Sequence, residues 1–223
     1  MCEFTNSKTN ITRRYIGFAV CILGIYQDTP DISLTLLTKY QTANSAFDHD
    51  SPPHPKKYKQ SIRLLIKMKT DLLAIGDKMP GWVETGFNEY AHRLPADSAL
   101  QLKQVRAVSR GKNPSITKII AEEEKRLLSA MPNSAHIVVL DVEGKQWSTP
   151  QLVKQLSFWR ELGKPIALVI GGADGLSPNL LSLAAQSWSL SPLTMPHYLV
   201  RVIVAEQMYR AWSILNGHPY HRA

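Results

Sequence analysis

Residues 165–172 read PIALVIGG: five apolar residues in a row, Ile166 to Ile170, closed by a glycine pair. A strand with one face in water alternates apolar and polar positions. A strand with no polar position is covered on both faces. His136 to Asp141 (HIVVLD) has the same character, and Leu72 to Ile75, ending at Gly76, is a shorter apolar strand. Ala99 to Val108 instead alternates Leu100, Leu102 and Val105 with Lys103 and Arg106, as a half-exposed strand does.

Segments of helical period separate these strands. Trp82 to Leu94 carries Trp82, Val83, Phe87, Tyr90, Ala91 and Leu94 at helical spacing. Pro114 can open a helix with Ile116, Ile119, Ile120, Leu127 and Leu128 on one side and Glu122 to Glu124 on the other. Thr149 precedes Pro150 as the cap of a third helix bearing Leu152, Leu156, Trp159 and Leu162, and Ser177 caps a short one at Pro178. Leu199 to Leu215 is the last. The pattern predicts an α/β fold, a mainly parallel sheet covered by helices on both faces. Ligands of such sheets sit beyond the carboxyl ends of the strands. That singles out the loops after Leu140, Ile170 and Leu190.

The loop after Ile170, GGADG, has neither the GxGxxG spacing of a dinucleotide site nor the GK[ST] of a P-loop. Its glycines suit a plain turn, or a ligand lying close to the backbone. After Leu140 come Asp141, Glu143 and Gly144, a solvated turn or a general base. Ser191 to Pro196 (SPLTMP) has apolar side chains and two prolines, and its unpaired backbone groups would suit an adenine edge. On the last helix His197 and Arg201, and Glu206 and Arg210, stand four residues apart. Exposed pairs add only about 0.3–0.5 kcal/mol each, so charge on this apolar helix points to a cleft or a partner chain. The chain closes on Pro219, Tyr220, His221 and Arg222, side chains that stack, donate hydrogen bonds and carry charge, where fraying ends are usually small and polar.

Composition narrows the classes. Apolar residues make up 44% and charged residues 20% of the 223, as in a soluble globular protein. The net charge of +8 favours a polyanionic partner without naming one. Cys2 and Cys21 give no disulfide framework. Neither a Ser-His-Asp or Cys-His set nor a cluster with metal-ligand spacing occurs, so no metal is expected. No apolar run reaches the roughly 20 residues that cross a bilayer. Tyr15 to Tyr26 follows Arg13 and Arg14 as in a signal peptide, yet no small-x-small cleavage site comes after it.

Residues 1–67 read poorly as a domain. Asn44 to Lys59 is rich in Pro, Asp, His and Lys, as linkers are, and two short apolar runs bury too little to offset ordering entropy. The expectation is an N-terminal extension, poorly ordered or a mis-assigned start, with the working domain at 68–223.

From Met68 onward the chain resembles the bacterial large-subunit (23S) rRNA pseudouridine N3-methyltransferases of the SPOUT, or alpha/beta-knot, class. The resemblance rests on GDKMPGWVETGFNEY (Gly76–Tyr90), RGKN (Arg110–Asn113), LD with W-TPQL (Leu140–Leu152), LVIGGADG (Leu168–Gly175), the pattern LSPLTMPH–LVRV–AEQ–YRAW up to Trp212, and HPYHR (His218–Arg222). The family usually has GGPEG where this chain has Ala173 and Asp174, and Asn where it has Gly217.

The resemblance implies a C-terminal trefoil knot and S-adenosylmethionine bound at Leu140, Gly172, Ser191, Pro192, Leu193, Thr194, Met195 and Pro196. It implies a cytoplasmic homodimer in which one subunit's tail completes the other's site. The substrate would be a pseudouridine of 23S rRNA on the assembled 70S ribosome. Around the base it points to His197, Arg210, Tyr220, His221 and Arg222, with Glu206 as a proton acceptor or as the partner of Arg210. A non-catalytic ribosome- or RNA-binding protein of the same fold, or a SPOUT tRNA methyltransferase, is the alternative.

Overall fold

The computed structural model describes residues 68–111 and 115–221, the last of these by its backbone alone. Five strands form one sheet: β1 (Thr70–Ile75), β2 (Leu100–Val105), β3 (His136–Gln146), β4 (Ile166–Ile170) and β5 (Gln186–Ser189). Their order is β2-β1-β4-β3-β5, and every pairing is parallel. Helices α1 (Gly81–Ala91), α2 (Ile116–Ala130), α3 (Thr149–Leu162), α4 (Pro178–Leu183) and α5 (His197–Leu215) lie between the strands and after the last. A short 3-10 turn, Pro219–His221, ends the described chain.

Strand period divides the core in two. Leu72, Ala74, Leu168 and Ile170 point to one face and meet Phe87 of α1, Trp159 of α3 and Met208 of α5. Leu73, Ile75, Ala167 and Val169 point to the other and meet Leu127 of α2 and Leu180 of α4. β4 is buried along its whole length, as its uninterrupted apolar run requires, and so is β1, although it opens on the polar Thr70 and Asp71. Trp159 is fully buried, and its indole N–H donates to Gln186 Oε1 at 2.8 Å, fastening α3 to β5.

Three expectations are corrected. α3 is capped by Ser148, not Thr149: its hydroxyl accepts from Gln151 N, and the Gln151 side chain accepts in return from Ser148 N, a reciprocal pair that only residues three apart can form. β3 does not stop at Asp141. Leu140 and Lys145 both lie opposite Trp188, so residues 141–144 are an irregular excursion within the strand. Asp141 shapes that excursion by accepting from Glu143 N at 3.1 Å. Gly144 returns it to the sheet, where a Cβ would come within 2.9 Å of the Ser187 and Trp188 backbones. Glu123 does not share the exposed side of α2; it is buried, whereas Ile116 is exposed. Arg201 of α5, a helix whose charges were expected at a cleft or a partner chain, is fully buried. Pro114, expected to open α2, lies outside the described residues; Ser115 is the N-cap.

Strand order reverses between β1 and β4. From β1 the chain steps outward to β2, crosses to β3, and returns to fill the gap with β4. A crevice outside the carboxyl ends at such a point is where open α/β sheets hold ligands.

Candidate functional site

A cavity of about 410 Å³ lies at that reversal. Ile75 and Gly76 come from the end of β1, Ala107 and Arg110 from the loop after β2, and Gly172 and Ala173 from the loop after β4. Glu123 of α2 and the start of α5, Pro196 to Tyr198, complete the wall. The loop after β4 is a tight turn in which Gly175 N donates to Gly172 O at 3.0 Å, with Gly175 at φ 82. The glycine pair admits close approach, but the groups that approach belong to the protein. A Cβ on Gly171 would meet the Gly175 backbone at 2.9 Å, and one on Gly172 would collide with Glu123 Oε2. Arg110 reaches across from the β2 loop to Asp174 at 2.6 Å, joining two loops of the rim.

Glu123 is the residue that sequence reading missed. It is 4% exposed, and its Oε1 accepts from Val108 N at 3.2 Å. Its Oε2 is buried with no hydrogen-bond partner among the described residues. A buried carboxylate with one free oxygen in a cavity wall is costly unless something donates to it. Flanked by Glu122 and Glu124, it looked like part of a solvated charge run; only its i,i+4 relation to Ile119 and Leu127, both buried, could have betrayed it.

The expected cofactor positions fall in two places. Leu140 lies in register with Ile170 on one side and Trp188 on the other. The start of the β3 excursion and the ends of β4 and β5 therefore bring Leu140, Gly172 and the start of the Ser191–Pro196 loop to one edge of the sheet. In that loop Pro192, Leu193, Thr194 and Pro196 are exposed, and Leu193 N donates back to Ser191 Oγ at 3.0 Å. Gly172 and Pro196 also line the cavity, whereas Leu140 and Ser191 to Met195 do not.

The expected catalytic residues also divide. His197, the first residue of α5, lines the cavity. Burial lowers its pKa from the ordinary value of 6.5; the Arg201 charge adds to this and Glu123 opposes it. The expected His197–Arg201 pair is not made. Arg201 turns instead to the carbonyls of Ile75 and Gly76. Further along α5, Glu206 Oε1 accepts from Arg210 Nε at 2.9 Å and from the Tyr220 hydroxyl at 3.0 Å, while Gln207 donates to Oε2 at 2.6 Å. The Arg210 guanidinium lies 5.1 Å from the Tyr220 ring centre, and that ring packs on Tyr209 at 4.7 Å. Burial first, then Glu206, raise the Tyr220 pKa, so its hydroxyl stays a donor. Arg210 lies 13 residues along α5 from His197, about 20 Å at 1.5 Å per residue. One protomer does not bring the two groups together. The His221 side chain and Arg222 lie outside the described residues.

Among the described residues no group of three or more His, Cys, Asp or Glu could hold a metal ion, and no helix is long and apolar enough to cross a membrane.

Residues 68–221 match the family described as predicted SPOUT methyltransferase. Over 155 residues the chain is 53% identical to a Hahella chejuensis (strain KCTC 2396) protein named ribosomal RNA large subunit methyltransferase H, covering 70% of this chain and 99% of that one. Among solved structures, a probable methylase family protein from Haemophilus influenzae Rd KW20 matches at 12% identity and TM-score 0.43, over 70% of this chain and 69% of its own. The SpoU methyltransferase AviRb from Streptomyces viridochromogenes, solved with AdoMet, matches at 15% identity and TM-score 0.35, over 65% and 58%.

Proposed function

Because the chain belongs to the SPOUT methyltransferase family, we propose that it methylates N3 of a pseudouridine in large-subunit ribosomal RNA, on the assembled ribosome, using S-adenosylmethionine. The observation that carries the rRNA reading is the identity of 53% to a relative named for that class of substrate, over 99% of that relative. The residues at the sheet's carboxyl edge fit the cofactor. The Ser191–Pro196 loop offers backbone groups and apolar surface, and Glu123 leaves an acceptor unfilled in the adjoining cavity that Gly172 and Pro196 line. Leu140, Gly172 and Ser191 to Pro196 would hold it.

When bound, S-adenosylmethionine supplies a methyl group already activated on a sulfonium centre. What remains for the protein is to hold the base in line and let the N3 proton leave; positioning alone can contribute roughly 7–11 kcal/mol. His197, whose burial favours the neutral imidazole, suits the proton acceptor better than Glu206, which already accepts from Arg210 and Tyr220. Arg210, Tyr220, His221 and Arg222 would grip the nucleotide by charge and stacking.

The separation of His197 from the Tyr220 group supports a homodimer in which the tail of one subunit closes the site of the other. In this reading the backbone around the site is knotted, the ribosome supplies the shape that selects the base, residues 1–67 are an accessory extension, and the protein works in the cytoplasm. The test is methyl mapping on ribosomes, with free tRNA in parallel. Methyl transfer to N3 of one pseudouridine in ribosomes supports the reading. Transfer to tRNA instead, or cofactor binding without any transfer, would replace it.

A further inference from the structure

The cavity at the β1/β4 reversal is continuous with the expected cofactor loops through Gly172 and Pro196, yet it extends away from them toward β1 and β2. Its charges are unequal in their needs. Arg110 is paired with Asp174, and burial favours neutral His197. Glu123 alone presents a buried acceptor with no partner among the described residues, and Gly172 lies directly against that oxygen. An occupant that leaves Glu123 Oε2 unfilled would lock in the cost of a desolvated carboxylate, so the group that belongs there brings a proton to donate and a positive charge.

We propose that this cavity is the subsite for the amino-acid end of the methyl donor, with Glu123 Oε2 accepting from its α-ammonium group. The inference rests on the cofactor reading above. The adenosine end belongs to the Leu140 and Ser191–Pro196 side, and Gly172 is the shared wall between the two ends. The sulfonium cannot satisfy Glu123, because it has no hydrogen to donate; the ammonium has three. Arg110 stands on the same rim, where a carboxylate from the same zwitterion can compete with Asp174 for the guanidinium. Any L-amino acid carries these two charges on one carbon, so a carboxylate and an arginine on one cavity wall match that chemistry.

The test is calorimetric and needs no turnover. Wild type is titrated with S-adenosylhomocysteine, with the same ligand lacking the α-amino group, and with 5′-methylthioadenosine, which lacks the whole amino-acid end. A hydrogen bond to a charged acceptor predicts that removing the amino group weakens binding roughly tenfold to a hundredfold in wild type. Glu123→Gln, which keeps an acceptor for Val108 N, should weaken S-adenosylhomocysteine by a similar factor and leave 5′-methylthioadenosine within about twofold, cancelling the amino group's contribution as coupled partners do. The wild-type ligand series stands even if the variant folds poorly. Equal affinity of wild type for the amino and des-amino ligands overturns the proposal while leaving the cofactor reading intact. So does Glu123→Gln weakening all three ligands alike, which marks a purely structural residue, or leaving all three unchanged. If wild type binds none of the adenosyl ligands, the cofactor reading itself falls.

Discussion

Arg201, in the second turn of α5, donates through one nitrogen, Nη2, to the carbonyl oxygens of both Ile75 at 2.9 Å and Gly76 at 3.0 Å. Those carbonyls lie at the end of β1, at the reversal of strand order. The guanidinium lies 5.0 Å from the Tyr198 ring centre and is fully buried, which lowers its pKa. Gly76, at φ 110, leaves room for it: a Cβ there would stand 3.2 Å from Nη2. One side chain thus fixes the start of the last helix against the floor of the cavity.

Arg201→Met should therefore destabilise the fold by about 1–3 kcal/mol, the cost of leaving buried carbonyls unpaired. Arg201→Lys should recover part of this, since both bonds come from one nitrogen that an ammonium can replace, while the planar guanidinium's contact with the Tyr198 ring is lost. Urea unfolding checks this. A midpoint that falls with an unchanged slope fits the argument, and an unchanged midpoint in Arg201→Met would contradict it.

The two strands apolar on both faces, and the glycine loop at the reversal that one of them leads to, were legible because burial on both sides leaves no other composition for a strand. The inward charges were not. Glu123 sits among glutamates, a pattern that a solvated helix face produces equally well, and Arg201 stands four residues from a histidine, which hid its true partners at the end of β1. What distinguishes them is the neighbouring element: Gly172 against one, the end of β1 against the other. The excursion at 141–144 was hidden for a similar reason, since Asp141, Glu143 and Gly144 are the usual residues of a turn that ends a strand.

Gly172→Ala tests the contact that the sequence concealed. Its Cβ cannot coexist with the present position of Glu123 Oε2, so the carboxylate must move or the loop must open. The expected result is a loss of cofactor affinity of roughly tenfold or more with stability reduced by about 1–3 kcal/mol, the usual cost of overpacking. Titration with S-adenosylhomocysteine beside thermal unfolding separates the two effects.

His197 gives a pH dependence with a definite sign. Its pKa is lowered in the folded protein, chiefly by burial, from 6.5. The unfolded chain then binds more protons between the two values, so stability rises with pH across that window. The contribution is fully present above 6.5 and is lost as pH falls through the folded value. His197→Gln should flatten this part of the stability profile below 6.5. Arg201 and Glu123 face the same imidazole, so the comparison is made with both left in place. A profile unchanged by the substitution would mean that His197 does not titrate in the window.

The tail supplies the sharpest test, because its role is assigned to the other subunit. Deleting Tyr220–Ala223 should abolish methylation of ribosomes while leaving cofactor affinity within about a few-fold, since the cofactor loops belong to the sheet edge. His197→Ala should abolish it from the other side. If the site is shared, coexpressing the two inactive chains creates mixed dimers in which an intact His197 meets an intact tail. In an isologous dimer with random pairing, half the dimers are mixed and each has one working site of two, so about a quarter of wild-type activity returns. If His197 and Tyr220 act within one chain, no mixture restores activity, because every chain carries a defect. Methyl incorporation into ribosomes, measured against the ratio of the two chains, decides between a shared site and a self-contained one.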